Sequence, residues 1–420
     1  MGKVTIKELG EYIPNTLNNV TLNKLKEFVI VPYFIKWYKT KESNKIFPIF
    51  LQELSDLNPT KIQIPGILTR NPFFNHTQIK YFSAYKNGVP AGRIMAFIDY
   101  NYNKNKDKTG WLGLFESIED KMVAKKLLDA AIKYLNDNLC SRAIGPSKFN
   151  ANGEIGLLIN GFSKKPYFME PYNAPYYQDY FEKYGFTKEN DWFSINTDES
   201  LSSMYIQRID SLVQRLNQTR RGNLLNEFKI RQINFKDTKN EIKLIKNLYN
   251  HIWSIGNHPQ YVEMTKEEFE TLAIGIKTIA LEDLIFIVEK DKTPVGVSIS
   301  IPNINEIIEE YDKNNPYMPS KRFFSLKDLR RDIRIFNIIQ KRLKQKRFSG
   351  IRILILGVHK KFRKTGIDSK LYHETAKAAK AIGITHASGS ELADINNDIL
   401  NPMLKIGKIA LTWRFYKLSI

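Results

Sequence analysis

The sequence predicts a mixed α/β chain made of two related halves, each a twisted, mostly antiparallel sheet flanked by helices. Three observations predict it. The first is a pair of matching hairpins. Alternating runs at 81–85 and 89–99 meet at Asn87-Gly88, and runs at 284–290 and 293–302 meet at Asp291-Lys292. Such dipeptides between alternating apolar runs favour tight turns whose twist suits paired strands. The second is a shared detail: each hairpin resumes with Pro and, two residues later, Gly. These are Pro90 and Gly92, then Pro294 and Gly296, with the prolines 204 residues apart. The third is the order of elements after each hairpin. A further strand and then a helix come at 111–116 and 120–136, and again at 351–358 and 368–382. Several elements recurring in order at half the chain length point to internal duplication.

Composition fits this plan. A chain of 420 residues exceeds what one hydrophobic core usually serves, and 42% hydrophobic residues, with 25 Phe and 21 Tyr, can fill two. The expected units are 1–200 and 228–420, joined by a polar helical connector over 201–227 that carries Arg208, Arg215, Arg220 and Arg221. The single cysteine, Cys140, excludes an internal disulfide and a thiolate zinc cluster. The six histidines are scattered without ligand spacing, so no metal is expected. Residues 1–30 show no basic stretch leading into an apolar one, and Lys36 ends the best apolar run far short of a membrane span. A cytoplasmic protein is expected.

The second half carries an anion-binding pattern. The β-rich run 351–358 stops at a basic turn, and helix-compatible sequence starts near Gly366. A strand entering a helix through a tight loop presents unpaired N–H groups and the positive end of the helix dipole. Lys360, Lys361, Arg363 and Lys364 add whole charges, and His359 lies in the same loop. A phosphorylated cofactor or substrate is the expected ligand.

The loop Arg363-Lys-Thr-Gly366-Ile-Asp368 resembles the Q/R-x-x-G-x-G/A loop of the GCN5-related N-acetyltransferases (GNAT), with Asp368 where that family has a small residue. The stretch 172–186 resembles a second signature of the family, an Asn before a Tyr-bearing helix that ends in Gly-Phe, through Asn173, Tyr180, Gly185 and Phe186, with Tyr180 one residue out of the family register, which falls on Phe181. The matching stretch of the second half, 396–407, has Met403 in place of the Tyr, and the first half lacks the R-x-x-G loop after Glu116. Segments 71–76, 92–99, 145–162 and 356–368 are similar to those of a widespread bacterial GNAT-like family of about this length. The resemblance implies two tandem GNAT-like acyl-CoA N-acyltransferase domains. It implies acetyl-CoA or a longer acyl-CoA as cosubstrate, with direct attack of an amine on the thioester. It places Gly357 and Val358 at the end of a splayed strand, and Lys360, Arg363, Lys364, Thr365, Gly366 and Ile367 in the pyrophosphate loop.

Such a reaction needs a base and an acid. Glu391 is one candidate base, ending the strand 385–391 expected beside 353–358; Glu116 is the other, ending the first-half strand as its expected counterpart. Tyr177 and Tyr180 are candidate acids and Tyr176 a candidate substrate contact, with aromatic core packing as the alternative for all three. The glycine-rich stretch 145–162 suits either a substrate-lining loop, with Asn150 and Glu154 as contacts, or a plain connection.

The net charge of +20 is concentrated: residues 321–364 hold 16 Lys or Arg against Asp328 and Asp332. Helical spacing of Leu329, Ile333, Phe336, Ile339 and Leu343 predicts an amphipathic helix within 321–350, opened by Ser325 and Asp328 as a capping box and preceded by Phe323 and Phe324. Arg330, Arg331, Arg334, Lys341, Arg342, Lys344, Lys346 and Arg347 cover its other faces. This segment suits packing on the second unit, an anionic membrane surface, nucleic acid, or acyl-CoA itself. Three functions therefore stay open. They are an acyl-CoA-dependent N-acyltransferase acting on a small or lipid-like amine, a Fem-like transferase that uses aminoacyl-tRNA, and a non-catalytic binding protein.

Overall fold

The computed structural model describes residues 2–60, 69–104, 107–218, 227–254, 258–320 and 325–420. The expected Arg220, Arg221, Phe323 and Phe324 lie outside the described residues. The first half contains β1 (Val4–Ile13), β2 (Leu17–Asn18), α1 (Leu22–Val29), α2 (Phe50–Asp56), β3 (Thr77–Lys86), β4 (Val89–Asp99), β5 (Thr109–Ser117), α3 (Lys121–Asp137), β6 (Arg142–Gly145), β7 (Leu157–Asn160), α4 (Tyr177–Tyr184) and β8 (Thr187–Thr197). A connecting helix, α5 (Glu199–Asn217), comes next. The second half contains β9 (Lys229–Gln232), α6 (Thr238–Trp253), α7 (Lys266–Lys277), β10 (Ile285–Lys290), β11 (Thr293–Pro302), α8 (Asn305–Asn314), α9 (Leu326–Gln345), β12 (Gly350–Val358), α10 (Ile367–Ala381), β13 (His386–Ala393), α11 (Asn397–Met403) and β14 (Lys408–Ser419).

Both hairpins form where the turn residues put them. Asn87 and Gly88 have φ of 52° and 77°, and Asp291 and Lys292 have 50° and 62°, the left-handed pair that a two-residue turn needs. The shared Pro-x-Gly is a shared bulge. Tyr85 faces Pro90 and Ala84 faces Gly92, so Ala91 bulges; Glu289 faces Pro294 and Val288 faces Gly296, so Val295 bulges. Proline has no N–H for the ladder, which breaks there. Each bulged carbonyl accepts a backbone N–H at 2.8 Å, from Ile118 in one half and His359 in the other.

The strands form one sheet in the order β2-β1-β3-β4-β5-β6-β14-β8-β13-β12-β11-β10-β9, with β7 also on β14. It is antiparallel except at β5–β6 and β12–β13. The chain is a mixed, mostly antiparallel α/β protein, as expected, and its two halves repeat the same run of strands up to their last one. One feature differs from two separate units in succession: the last strands are exchanged. β14 lies between β6 and β8 of the first half, and β8 lies between β14 and β13 of the second. Trp192 faces Trp413 at the crossover, both fully buried, beside Asp191 facing Arg414, an ion pair at 2.9 Å.

In the second half, α10 covers one face of the sheet through Ile367 and Leu371, against Val288 and Val295. α6, α7 and α9 cover the other through Ile245, Phe269, Ile335 and Ile339. α9 departs from the expected pattern in two ways. Ser325 caps it alone, accepting from the Lys327 N–H, because Asp328 turns inward. The helix buries Asp328, Arg331, Asp332, Ile335 and Ile339, whereas Ile333 and Phe336, expected on the buried face, point outward. No described helix is long and apolar enough to cross a membrane.

Candidate active site

Strands β12 and β13 pair only from Gly350 opposite His386 to Ile353 opposite Gly389, and then diverge. A cavity of about 300 Å³ occupies the opening. Gly357 and Val358 on β12 and Glu391 on β13 line it, with Arg363, Lys364 and Asp368 at the basic end. The first half reaches in as well, through 151–154 and Trp192. The stretch 145–162 is therefore a lining loop at its Glu154 end.

The basic end is shaped by backbone. Eight residues, His359 to Gly366, separate β12 from α10. Lys364 and Gly366 adopt left-handed conformations, φ 62° and 93°, which suits glycine at the second and turns the chain sharply into the helix. Gly366 is the N-cap and no side chain caps α10, so its first-turn N–H groups are left for an anion. Lys360 is exposed on the outside of the loop. The Thr365 hydroxyl donates to the Phe362 carbonyl at 2.7 Å, and Ile367 is buried under the sheet. These three shape the loop and do not line the cavity. Asp368 sits in the first turn of α10; burial raises the hydroxyl pKa values of Tyr205 and Tyr372, and the Asp368 carboxylate adds to the rise. Along β12, a side chain at Gly357 would meet Ile252 at 2.9 Å and Trp253 at 3.1 Å, so glycine here lets α6 pack close against the strand.

The first half has filled the same space with its own groups. Gly92 faces Ser117 as Gly296 faces Val358, and Arg93 faces Glu116 as Val297 faces Gly357. Glu116 therefore corresponds to Gly357, which corrects its expected pairing with Glu391. Its carboxylate accepts from the hydroxyls of Tyr38 and Tyr177 and from Lys45 at 3.3 Å. Only three residues separate β5 from α3. Asp120 caps that helix, accepting from the Met122 and Val123 N–H groups at 2.8 and 3.3 Å, so a carboxylate of the chain stands where an anion would bind. Tyr176 donates to the Ser117 carbonyl at 3.0 Å, and Tyr180 packs against Tyr176 and Tyr177. Burial raises the pKa of all three tyrosines, Tyr180 to about 12. None of them lines the cavity, and neither does Asn150, whose amide is tied to Asp99 at 2.9 Å. The three tyrosines pack in the first-half core beside Glu116 and Ser117.

Glu391, on the β13 wall of the cavity, has a side chain that is 11% exposed. One of its oxygens accepts from the Ile155 N–H at 3.4 Å and lies 4.0 Å from Arg352. Burial raises its pKa to about 8; Arg352 opposes the rise, and the Glu154 and Glu170 carboxylates add to it. A carboxyl so placed exchanges a proton near neutral pH. Behind it, Glu170 accepts from the Ser388 and Ser390 hydroxyls at 2.6 Å each and from the Tyr167 N–H at 2.7 Å, which fixes the start of the diverging strand. His258 also lines the cavity. Burial lowers its pKa to about 4, which keeps the ring neutral. Tyr249 donates to Asn152 at 3.0 Å, joining the two halves at the cavity wall. Sequence reasoning did not single out Arg352, His258, Trp192 or Tyr249. Arg352 had a signal, a charge inside the apolar run 351–358; the others had none.

No family model matches the chain. It is 30% identical over 292 residues to protein YghO of Escherichia coli (strain K12), covering 69% of this chain and 68% of that one. It is 27% identical over 343 residues to a bacterial ceramide synthase of Caulobacter vibrioides, covering 81% and 79%. Among solved structures, a tandem GNAT protein from the clavulanic acid biosynthesis pathway superposes with a TM-score of 0.48 at 8% identity, covering 99% of this chain and 98% of that one. The GNAT-type glucosamine N-acetyltransferase region of a fungal multi-domain β-N-acetylglucosaminidase gives 0.49 at 11% identity; the chain spans 38% of that longer protein.

Proposed function

The chain belongs to the family of the Escherichia coli protein YghO, and from this premise we propose that it is an acyl-CoA-dependent N-acyltransferase with one active site, in the cavity between β12 and β13. The observation that carries the reading is the contrast between the halves. Where Gly357 puts no side chain into the cavity wall and α10 starts uncapped at Gly366, the first half has Glu116 and Asp120. The donor set fits acyl-CoA: uncapped N–H groups with Arg363 and Lys364 suit a pyrophosphate, and the edge of β12 beyond Ile353, freed from β13, suits an extended amide chain. Bound there, acyl-CoA supplies an activated thioester carbonyl.

The chain's own residues then have separable tasks. Arg363, Lys364 and the first turn of α10 hold the phosphates. Glu391 accepts the proton of the attacking amine, and Arg352 and the Ile155 N–H hold that carboxylate in place. The wall toward the first half, with Trp192, Trp253 and Leu392, suits an amine with an apolar body. The name of the Caulobacter relative, a ceramide synthase, fits a lipid-like amine as acceptor.

The test is thermal stabilisation by CoA, acetyl-CoA and a long-chain acyl-CoA, then thiol release with single-chain amines. A ligand at 100 times its Kd adds about 2.7 kcal/mol of stability, a readily measured rise in melting temperature. Gly366→Glu puts a carboxylate at the uncapped helix start and is expected to abolish the shift while the protein stays folded. No shift with any CoA species, together with salt-dependent tRNA binding, would point instead to a Fem-like aminoacyl-tRNA donor.

A further inference from the structure

We propose that the outward face of α9 docks the chain on an anionic membrane surface. Docking rests on this helix alone and is independent of the catalytic reading. The rotation of α9 is fixed by charge. Asp328 accepts from Lys26 at 2.7 Å, Asp332 accepts from the Leu51 N–H at 2.8 Å, and Arg331 donates to Asp312 at 2.6 Å while lying 4.3 Å from the Tyr317 ring centre. This consumes both acids of the helix on the buried side. The outward side keeps Ile333 and Phe336, 48% and 44% exposed, and Leu326 at 67%. Lys327, Arg330, Arg334, Lys341 and Lys344 are exposed around them, and among the described residues the last four make no ion pair. Arg342 and Lys346, by contrast, are paired with Glu310 and Asp283.

A solvated protein surface normally interleaves charges of both signs and scatters its apolar groups. Among the described residues, the outward face of α9 itself carries cations and no acid, around three large apolar side chains. Cations meet anionic headgroups, and Ile, Phe and Leu enter the acyl boundary. RNA would meet the cations but would gain nothing from Ile333 and Leu326, so the apolar component selects the membrane. The face also lies on the side of the sheet that serves the cavity. α9 shares its core with α6 and α7, which line the cavity through Tyr249, Trp253 and Leu272. Gln340 of α9 donates to the Thr278 carbonyl just past α7 at 2.9 Å.

The full chain is floated with vesicles of phosphatidylcholine, alone or mixed with phosphatidylglycerol. Wild type is expected to bind only the anionic vesicles, less as salt rises. Each basic residue near such a surface is worth about five-fold in partition, so Arg330→Glu with Arg334→Glu should lower it by at least about 30-fold. Ile333→Ser with Phe336→Ser should lower it by about ten-fold or more at unchanged charge. Lys125→Glu with Lys133→Glu, on the exposed side of α3, makes the same change in net charge and should have little effect. Equal loss in this control, binding to neutral vesicles alone, or α9 variants that lose a polyuridine oligonucleotide while keeping vesicles would each overturn the proposal. Thiol release with a water-soluble amine should be unchanged in the α9 variants, so docking and catalysis are read separately.

Discussion

Glu391→Gln is expected to lower kcat by at least about 100-fold, the usual range for a positioned proton acceptor, with acyl-CoA binding retained. Two further readouts separate this from a general loss of structure. Because burial holds the Glu391 pKa up at about 8, the wild-type rate should rise with pH through a limb near that value, and the variant should lack the limb. Stability should move the other way. The ordinary value for this carboxyl is 4.5, so the folded protein keeps a proton that the unfolded chain gives up between pH 4.5 and 8. The stability that proton supplies is present below pH 4.5 and is lost as pH rises through about 8. Glu391→Gln removes that loss. Its urea midpoint should match wild type near pH 5 and exceed it at pH 9, by on the order of 3 kcal/mol in stability. A variant as active as wild type would remove Glu391 from the reaction.

Asp328→Ala is expected to cost about 3–5 kcal/mol, because it breaks a buried ion pair and removes the acceptor of the Tyr317 hydroxyl. Lys26 and Asp328 are 2% and 4% exposed and join α1 of the first half to α9 of the second. Asp328 also accepts from the Tyr317 hydroxyl at 2.9 Å and the Ser320 N–H at 3.1 Å. Replacing both partners by apolar residues, Lys26→Met with Asp328→Leu, should cost less than Asp328→Ala alone, since both charges of the pair are then removed together. Urea unfolding checks the order. A loss under about 1 kcal/mol for Asp328→Ala would mean that this pair does not fix the rotation of α9.

What was legible in the sequence was what local chemistry decides. Asn87-Gly88 and Asp291-Lys292 dictate their own turns, and the run from Val358 to Gly366 dictates an uncapped helix start. What was not legible depends on partners far along the chain. Alternation in 187–197 and 408–419 says which face is buried but not which neighbour each strand pairs with, so the exchange of β8 and β14 has no local mark. The match of Glu116 with Gly357 requires counting through the bulges at Ala91 and Val295. Without them, two carboxylates near strand ends look like counterparts. The apolar spacing of α9 is helical as expected but belongs to the other face, because Asp328, Arg331 and Asp332 find partners in Lys26, Asp312 and Leu51 that outweigh Ile333 and Phe336. The cavity is likewise a product of both halves: Glu391 is held by the Ile155 N–H, 236 residues away in the chain.

A single acyl-CoA site in the second half is best tested by calorimetric titration of the full chain with a long-chain acyl-CoA. One molecule is expected to bind per chain. Arg363→Glu with Lys364→Glu should abolish binding, and Glu116→Gln with Asp120→Asn should leave it unchanged. Two molecules per chain, or one site that survives the second-half substitutions and is lost with those in the first half, would rule out a lone second-half site.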